Sequence, residues 1–369
     1  MPAHRLIARR SEALPEPFQQ KGRGAKSNAS GRFEPTVTEP FDDGWSGQDP
    51  PARPLRTTLI RDASRSIIAT NDSPDIGFSR SINPYRGCEH GCIYCYARPS
   101  HAYWGYSAGL DFESVLFYKP DAAALLEAAF RKPSYAPETI VIGANTDPYQ
   151  PVERQLRITR SLLEVFDRFN HPVGLITKSA TVTRDIDVLA RLATRNLARV
   201  SVSVTTLDRK LARSMEPRAA TPERRLEAIR ALTGAGIPVT MMTAPIIPGL
   251  NDHEIEPLLE AGAEAGADRA AYVLLRLPLE IKDLFKEWLA VERPMAAAKV
   301  MSLIRQTRGG KEYDANWRVR QTGEGPVAQL VANRYAKARK RFGLDRERIP
   351  MDTTLFQRPL ATAEQLSLF

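Results

Sequence analysis

Cys88-Glu89-His90-Gly91-Cys92-Ile93-Tyr94-Cys95 contains every cysteine of the 369-residue chain. Three thiols cannot all pair. Confined to one C-x3-C-x2-C stretch, they act together as ligands for a soft centre, zinc or iron–sulfur. On a tetrahedral zinc ion His90 supplies the fourth ligand, although four ligands crowded into eight residues is an unusual spacing for structural zinc. On a 4Fe–4S cube three thiolates leave one iron open for chemistry, and His90 is a loop residue.

The surrounding pattern decides where this stretch lies. Apolar runs at Phe78–Ile82, Thr139–Gly143, Val173–Thr177, Ala198–Val204, Val239–Ala244 and Ala270–Leu275 read as strands. Helical periodicity fills the gaps at Asp121–Arg131, Ile158–Phe169, Ile186–Thr194, Pro222–Ala235 and Glu254–Ala265. Thr221 suits an N-cap before Pro222, and Gly236 a helix stop. Six strands with helical crossovers make an α/β protein with a parallel sheet, open or curled into a partial barrel. Reactive sites of such sheets lie at the carboxyl ends of the strands. The cysteine stretch follows the first strand there. Asn145-Thr146-Asp147 follows the second, Lys178-Ser179 the third, Thr205-Thr206 the fourth and Pro248–Asp252 the fifth.

The chain divides into a largely disordered extension at 1–65, a core at 66–280 and a basic, mainly helical extension at 281–369. The first part is rich in Pro, Gly, Ser and charge. Within it Phe33, Phe41 and Trp45 are candidates for local docking. No apolar run spans a bilayer and no secretory leader is evident, so a reducing, cytoplasmic setting without membrane contact is expected. The net charge is +9, and between Arg276 and Asp345 fifteen basic residues face eight acidic ones. That imbalance points to a polyanion such as nucleic acid, or to a solvated surface. The segment Val327–Phe342 reads as an amphipathic helix with an apolar stripe of Val327, Leu330, Val331, Ala338 and Phe342. Arg334, Lys337, Lys340 and Arg341 lie opposite. Trp288 and Trp317 read as packing residues.

The motif Cys88-x3-Cys92-x2-Cys95, with Tyr94 before the last cysteine and a β/α array around it, resembles the radical S-adenosylmethionine (SAM) enzymes. Asn83-Pro84-Tyr85-Arg86-Gly87, Tyr96-Ala97-Arg98 and Gly143–Glu153 are similar to the branch containing spore photoproduct lyase and DNA repair photolyase-like proteins. The resemblance covers about residues 76–280. It implies a partial (β/α)6 barrel and a 4Fe–4S cluster held by Cys88, Cys92 and Cys95. It also implies SAM on the open iron and reductive cleavage of SAM to a 5′-deoxyadenosyl radical that abstracts hydrogen. The electron comes from a donor such as a flavodoxin or ferredoxin. Tyr94 and Tyr96 match tyrosines implicated in hydrogen transfer in the lyase, and Lys178 and Ser203 match positions that contact SAM.

Two departures bear on the substrate. The lyase uses a further cysteine as hydrogen donor, and here the nearest aligned position is about Asn145, which argues against spore photoproduct repair by that route. The absence of other cysteines also excludes a second cysteine-bound cluster. The common Gly-Gly-Glu element is missing, leaving Asn145, Thr146 and Asp147 to receive the SAM amino group. Asp147 also suits the start of an Asp-Pro turn. Glu216 and Arg218 are candidates for ribose hydroxyls and for a carboxylate or phosphate, or else form an ion pair at a helix entry. The expected activity is radical SAM chemistry on a nucleic acid, with a protein or small metabolite as the alternative substrate. A zinc-stabilised nucleic-acid-binding module without catalysis is the alternative class.

Overall fold

The computed structural model describes residues 22–34 and 55–359. Among the described residues ten strands are present: β1 Thr58–Arg61, β2 Ile68–Thr70, β3 Arg80–Ile82, β4 Tyr85–Arg86, β5 Val115–Tyr118, β6 Ile140–Ile142, β7 Val173–Thr177, β8 Ala198–Ser203, β9 Val239–Ile246 and β10 Arg269–Leu274. Seven form one sheet in the order β10-β9-β8-β7-β6-β3-β2. The six from β3 to β10 are parallel, and β2 adds antiparallel at the edge. The smaller sheet is β1-β5-β4.

Six parallel strands added in chain order send every crossover to the same side, which curls a sheet. Its two edges, β2 and β10, do not pair with each other, so the curl stays open as a partial barrel. Alternate residues such as Val173, Leu175, Val200, Val202, Val239 and Met241 face the helices in one apolar core. Ile176, Ser201, Ser203, Thr240 and Met242 alternate onto the concave face. The crossover helices are Ala122–Arg131, Ile158–Arg168, Ile186–Ala193, Pro222–Gly234 and Ile255–Glu264. The Thr221 side chain caps its helix by accepting from the Arg224 N–H, and Gly236 takes a left-handed φ of 77° just past the end.

Two pieces of the segment 1–65 are ordered in the body. Arg23, Gly24 and Ala25 run beneath the cysteine loop, and β1 pairs in parallel with β5. Sequence composition hides this, because the partner of the first piece is one buried carboxylate, Glu113, far along the chain. Phe33 is exposed with its ring against Tyr103. Phe41 and Trp45 lie outside the described residues.

Past β10, helices Ile281–Glu292 and Pro294–Gln306 pack over the cysteine loop. Ile281, Leu284, Phe285 and Trp288 share a cluster with Cys92, Ile93 and Tyr94. Trp288 is fully buried and its Nε1 donates to the Ser214 carbonyl at 3.0 Å, whereas Trp317 is 52% exposed. Helix Gly325–Arg341 turns Ala328, Val331, Tyr335 and Ala338 inward, with Tyr335 against Tyr272, while Leu330 stands exposed. Lys337, Lys340 and Arg341 are exposed, and Arg334 pairs with Glu256. The chain then crosses the amino ends of the strands, where the Asp352 N–H meets the Asn196 carbonyl and Phe356 packs on Phe130, Phe169 and His171.

His171 beneath this strap is fully buried and stacks on Phe130 at 4.3 Å. Its Nδ1 faces the Pro172 carbonyl and its Nε2 the Tyr135 hydroxyl at 2.7 Å. The carbonyl makes Nδ1 the donor and Nε2 the acceptor, which is the neutral ring. Burial pushes its pKa down to about 3. The unfolded chain therefore takes up this proton first, and stability drains as pH falls from about 6.5 toward 3, by on the order of 5 kcal/mol. Denaturant titrations of the wild type and His171→Gln should diverge in slope over that window. Parallel curves would refute the assignment.

Candidate active site

The cysteine loop follows β3 and the short β4 and is pinned from several sides. Gln150 is fully buried; its Oε1 accepts from the Glu89 N–H at 2.8 Å and its Nε2 donates to the Gly87 carbonyl at 3.3 Å. From the β8 side the Ile93 N–H donates to the Met215 carbonyl at 2.9 Å. From below, the buried Arg98 guanidinium donates to the carbonyls of Gly91, Cys92, Ala108 and Gly109 and to Glu113 Oε1. Glu113 also accepts from the N–H groups of Gly24 and Ala25 at 2.9 and 2.8 Å. Gly24 passes so close that a Cβ there would sit 1.9 Å from the Gly91 carbonyl oxygen. Gly91 itself is left-handed at φ 66°.

Held this way, Cys88 and Cys92 are buried, Cys95 is partly exposed, and all three are free thiols. Burial pushes each thiol up, with neighbouring charges adding to this at Cys88. They become thiolates when a metal supplies positive charge. Among the described residues no three His, Cys, Asp or Glu side chains gather on the scale of one ion. A single zinc would draw its thiolates to within about 4 Å of one another. His90 Nδ1 lies 3.3 Å from Asp147 Oδ2, and the ring joins no such metal-scale group among the described residues. An all-thiolate set in one loop suits the separate corners of a cube better than one ion.

The other candidate residues fall into two groups. Asp147 is occupied: its oxygens accept from the Tyr149 N–H at 2.9 Å, the Thr177 hydroxyl at 2.7 Å and the Lys178 N–H at 2.6 Å. Burial pushes its carboxyl up, but His90 and these donors outweigh that and hold it below the usual range. The Thr146 hydroxyl donates to the Tyr85 carbonyl at 2.8 Å. Glu216 is a buried hub whose carboxylate takes the Arg225 guanidinium, the Tyr94 hydroxyl and the Thr205 hydroxyl. Arg218 pairs with Glu89 Oε1 at 3.1 Å, and its N–H donates to the His90 carbonyl. These residues brace the cysteine loop; Glu216 and Arg218 do form ion pairs, but with Arg225 and Glu89 and not with each other at a helix entry.

The second group lies at the carboxyl ends of the strands around the cysteine loop. Lys178 Nζ donates to the Ala244 carbonyl at 3.1 Å, lies 4.0 Å from Glu216 Oε1, and stands over the Tyr94 ring. Burial lowers its pKa, and the charge of Cys92 opposes that. Ser203 is buried, and its carbonyl accepts from Arg225 Nη1 at 3.1 Å. Asn145 is exposed at its loop tip, with its N–H on Asn83 Oδ1 at 2.9 Å. Tyr94 and Tyr96 part company: Tyr94 is buried against Glu216, whereas Tyr96 is 44% exposed, with its hydroxyl on the Ala144 carbonyl and Arg276 over its ring.

Sequence reading missed the roles of Glu113, Gln150, Thr205, Arg225, Asn251 and Arg276. Asn251, for one, ties the β8 and β9 ends together by donating to the Thr205 and Pro245 carbonyls at 2.8 and 3.1 Å. Gln150 had a signal, since it lies in the Gly143–Glu153 motif; Glu113 had none.

Comparison with known proteins agrees with this geometry. The family model of the radical SAM superfamily matches residues 82–261. An uncharacterized protein of Mycobacterium tuberculosis is 34% identical over 231 residues, covering 62% of this chain and 68% of its own. One of Methanocaldococcus jannaschii is 28% identical over 173 residues, covering 47% and 62%. Spore photoproduct lyase complexed with dinucleoside spore photoproduct superposes with a TM-score of 0.55 at 16% identity, over 77% of this chain and 79% of that one. The fold is therefore that of a radical SAM enzyme. The chain belongs to the radical SAM superfamily, whose cofactors are a 4Fe–4S cluster and SAM.

Proposed function

We propose that Cys88, Cys92 and Cys95 hold the 4Fe–4S cluster, with SAM on the open iron, and that the enzyme abstracts hydrogen from a nucleic acid. The observation that carries the site assignment is the set of three thiols, two buried and one partly exposed, in one braced loop near the carboxyl end of β3, with the lysine that follows β7 on the same side. Bound together, cluster and SAM supply one-electron carbon–sulfur cleavage and a carbon radical. The chain's part is to bind, orient and exclude water. Lys178 receives the SAM carboxylate, with Ser203 beside it on the concave face. Asn145 and the loop Thr146-Asp147 border the amino group, with Asp147 acting through the residues it holds. Glu216 and Arg218 keep the loop and Tyr94 in place. Tyr96, half exposed and donating its hydroxyl to the Ala144 carbonyl, serves in hydrogen transfer to or from the substrate carbon. A flavodoxin or ferredoxin of a cytoplasmic, reducing compartment suits the electron delivery.

Three features support a nucleic-acid substrate: the basic balance of residues 276–345, the exposed Lys337, Lys340 and Arg341, and the fold shared with a lyase solved with a dinucleoside lesion. Anaerobic reconstitution tests the chemistry. Iron and sulfide should bind in fourfold stoichiometry, and dithionite with SAM should yield 5′-deoxyadenosine. One zinc per chain without sulfide would end the proposal. Lys178→Met should retain iron while raising the SAM concentration for half-maximal turnover about 10- to 100-fold, the loss of one charge-assisted hydrogen bond. An unchanged SAM requirement removes Lys178 from the SAM site.

A further inference from the structure

Arg276 follows β10 by two residues, at the same strand ends as the cysteine loop. Its guanidinium carbon lies 5.1 Å over the ring of Tyr96, the residue after Cys95. Its Nε is shielded from solvent and has no hydrogen-bond partner, and among the described residues the side chain enters no ion pair. The charge of Asp75 reaches it, but Asp75 is already taken, accepting from the Arg318 N–H and from Arg320 Nε, each at 2.5 Å. Arg308 stands beside it. It is buried, its donors go to the carbonyls of Val319 and Leu275, and it repels Arg276; the charges of Asp314 and Glu324 reach it without forming an ion pair.

Two neighbouring guanidiniums held against carbonyls and a ring, with no carboxylate in contact, form a charge deficit that an incoming anion relieves. The Tyr96 ring beneath the guanidinium carbon steadies that group by a cation–π contact, while its terminal nitrogens make no hydrogen bond among the described residues. Half-exposed Trp317 precedes Arg318 on the segment that Asp75 anchors. An aromatic face beside arginines is the arrangement that holds single-stranded nucleic acid, stacking bases and gripping phosphates.

We propose that Arg276, steadied by Tyr96, is the phosphate-receiving residue of the substrate site, and that its ligand is a phosphodiester of a single nucleic-acid strand. This rests on the nucleic-acid reading above and deepens it, but its test does not pass through SAM cleavage. Binding of a fluorescein-labelled single-stranded DNA decamer to reconstituted protein is followed by anisotropy from low to moderate salt. Arg276→Gln should weaken binding about 10-fold or more and flatten the log–log salt slope by about 0.7, the loss of one phosphate contact. Arg276→Lys, which keeps the charge but not the fork, should fall between. Unchanged iron content and melting temperature establish that both variants are folded. Equal affinity and slope in all three proteins overturns the proposal. So does a raised SAM requirement in Arg276→Gln with decamer binding intact, which would give the residue to the SAM carboxylate. Wild-type protein that ignores the decamer but binds inorganic phosphate also overturns it, in favour of a small phosphate ligand. Loss of decamer binding in a chain that binds no cluster would retain the subsite and defeat the radical reading instead.

Discussion

Replacing Cys92 by alanine is expected to abolish 5′-deoxyadenosine formation while leaving a folded protein. The two halves of that expectation have different physical sources. Two thiolates cannot hold a cube that three corners of protein normally carry, so visible charge-transfer absorption and iron content should both collapse. The fold should survive because the loop is held by its backbone: Arg98 Nε donates to the Cys92 carbonyl at 2.8 Å, and the Cys95 N–H donates to the same carbonyl at 3.2 Å. Neither bond involves the sulfur. The lost sulfur leaves a small gap in the cluster of Ile93, Leu284 and Trp288, a cost of about 1 kcal/mol. Circular dichroism and a melting curve, run beside the iron assay, separate the two effects. Product at the wild-type rate in the alanine variant would remove Cys92 from the ligand set. Alanine at Cys88 or Cys95 should behave alike, since all three sit in the same braced turn.

What the sequence reveals here depends on range. Strand and helix positions follow from local periodicity, and five crossover helices and six parallel strands lie within two residues of where pattern alone puts them. The thiols are legible because they are the chain's only cysteines. The uses of the polar residues beside them are not, because each is decided by a partner distant in sequence. Asp147 reads as a ligand for an ammonium group until Thr177 and the Lys178 N–H claim its oxygens. Glu216 reads as a ribose acceptor until Arg225 folds back onto it. Tyr94 and Tyr96 look equivalent in sequence, and only the turn at Cys95 sends one hydroxyl inward to Glu216 and leaves the other ring half open. The same limit hides Arg276, whose isolation from carboxylates is a property of the folded neighbourhood.

The buried pair beneath the loop should have the second large effect. Arg98 and Glu113 are both fully buried, 2.5 Å apart. Arg98→Met keeps most of the volume but leaves the Glu113 carboxylate with only the Gly24 and Ala25 N–H groups, and four loop carbonyls without their guanidinium donor. Breaking a buried pair from one side costs about 3–5 kcal/mol. For a chain of this length that is a fall in melting temperature of roughly 4–6 °C. Arg98→Lys should recover little of it, because one ammonium cannot serve four carbonyls and a carboxylate in the plane of a fork. Pairing Arg98→Met with Glu113→Gln should recover more, since the stranded charge disappears, although the carbonyls stay unserved. Cluster loading gives the decisive reading. The strut acts on the backbone that presents the thiols, so Arg98→Met should lose iron faster than the wild type under chelator challenge, even at temperatures where both are folded. A variant that melts early yet holds iron as tightly as the wild type would make Arg98 a support of the fold alone and not of the site.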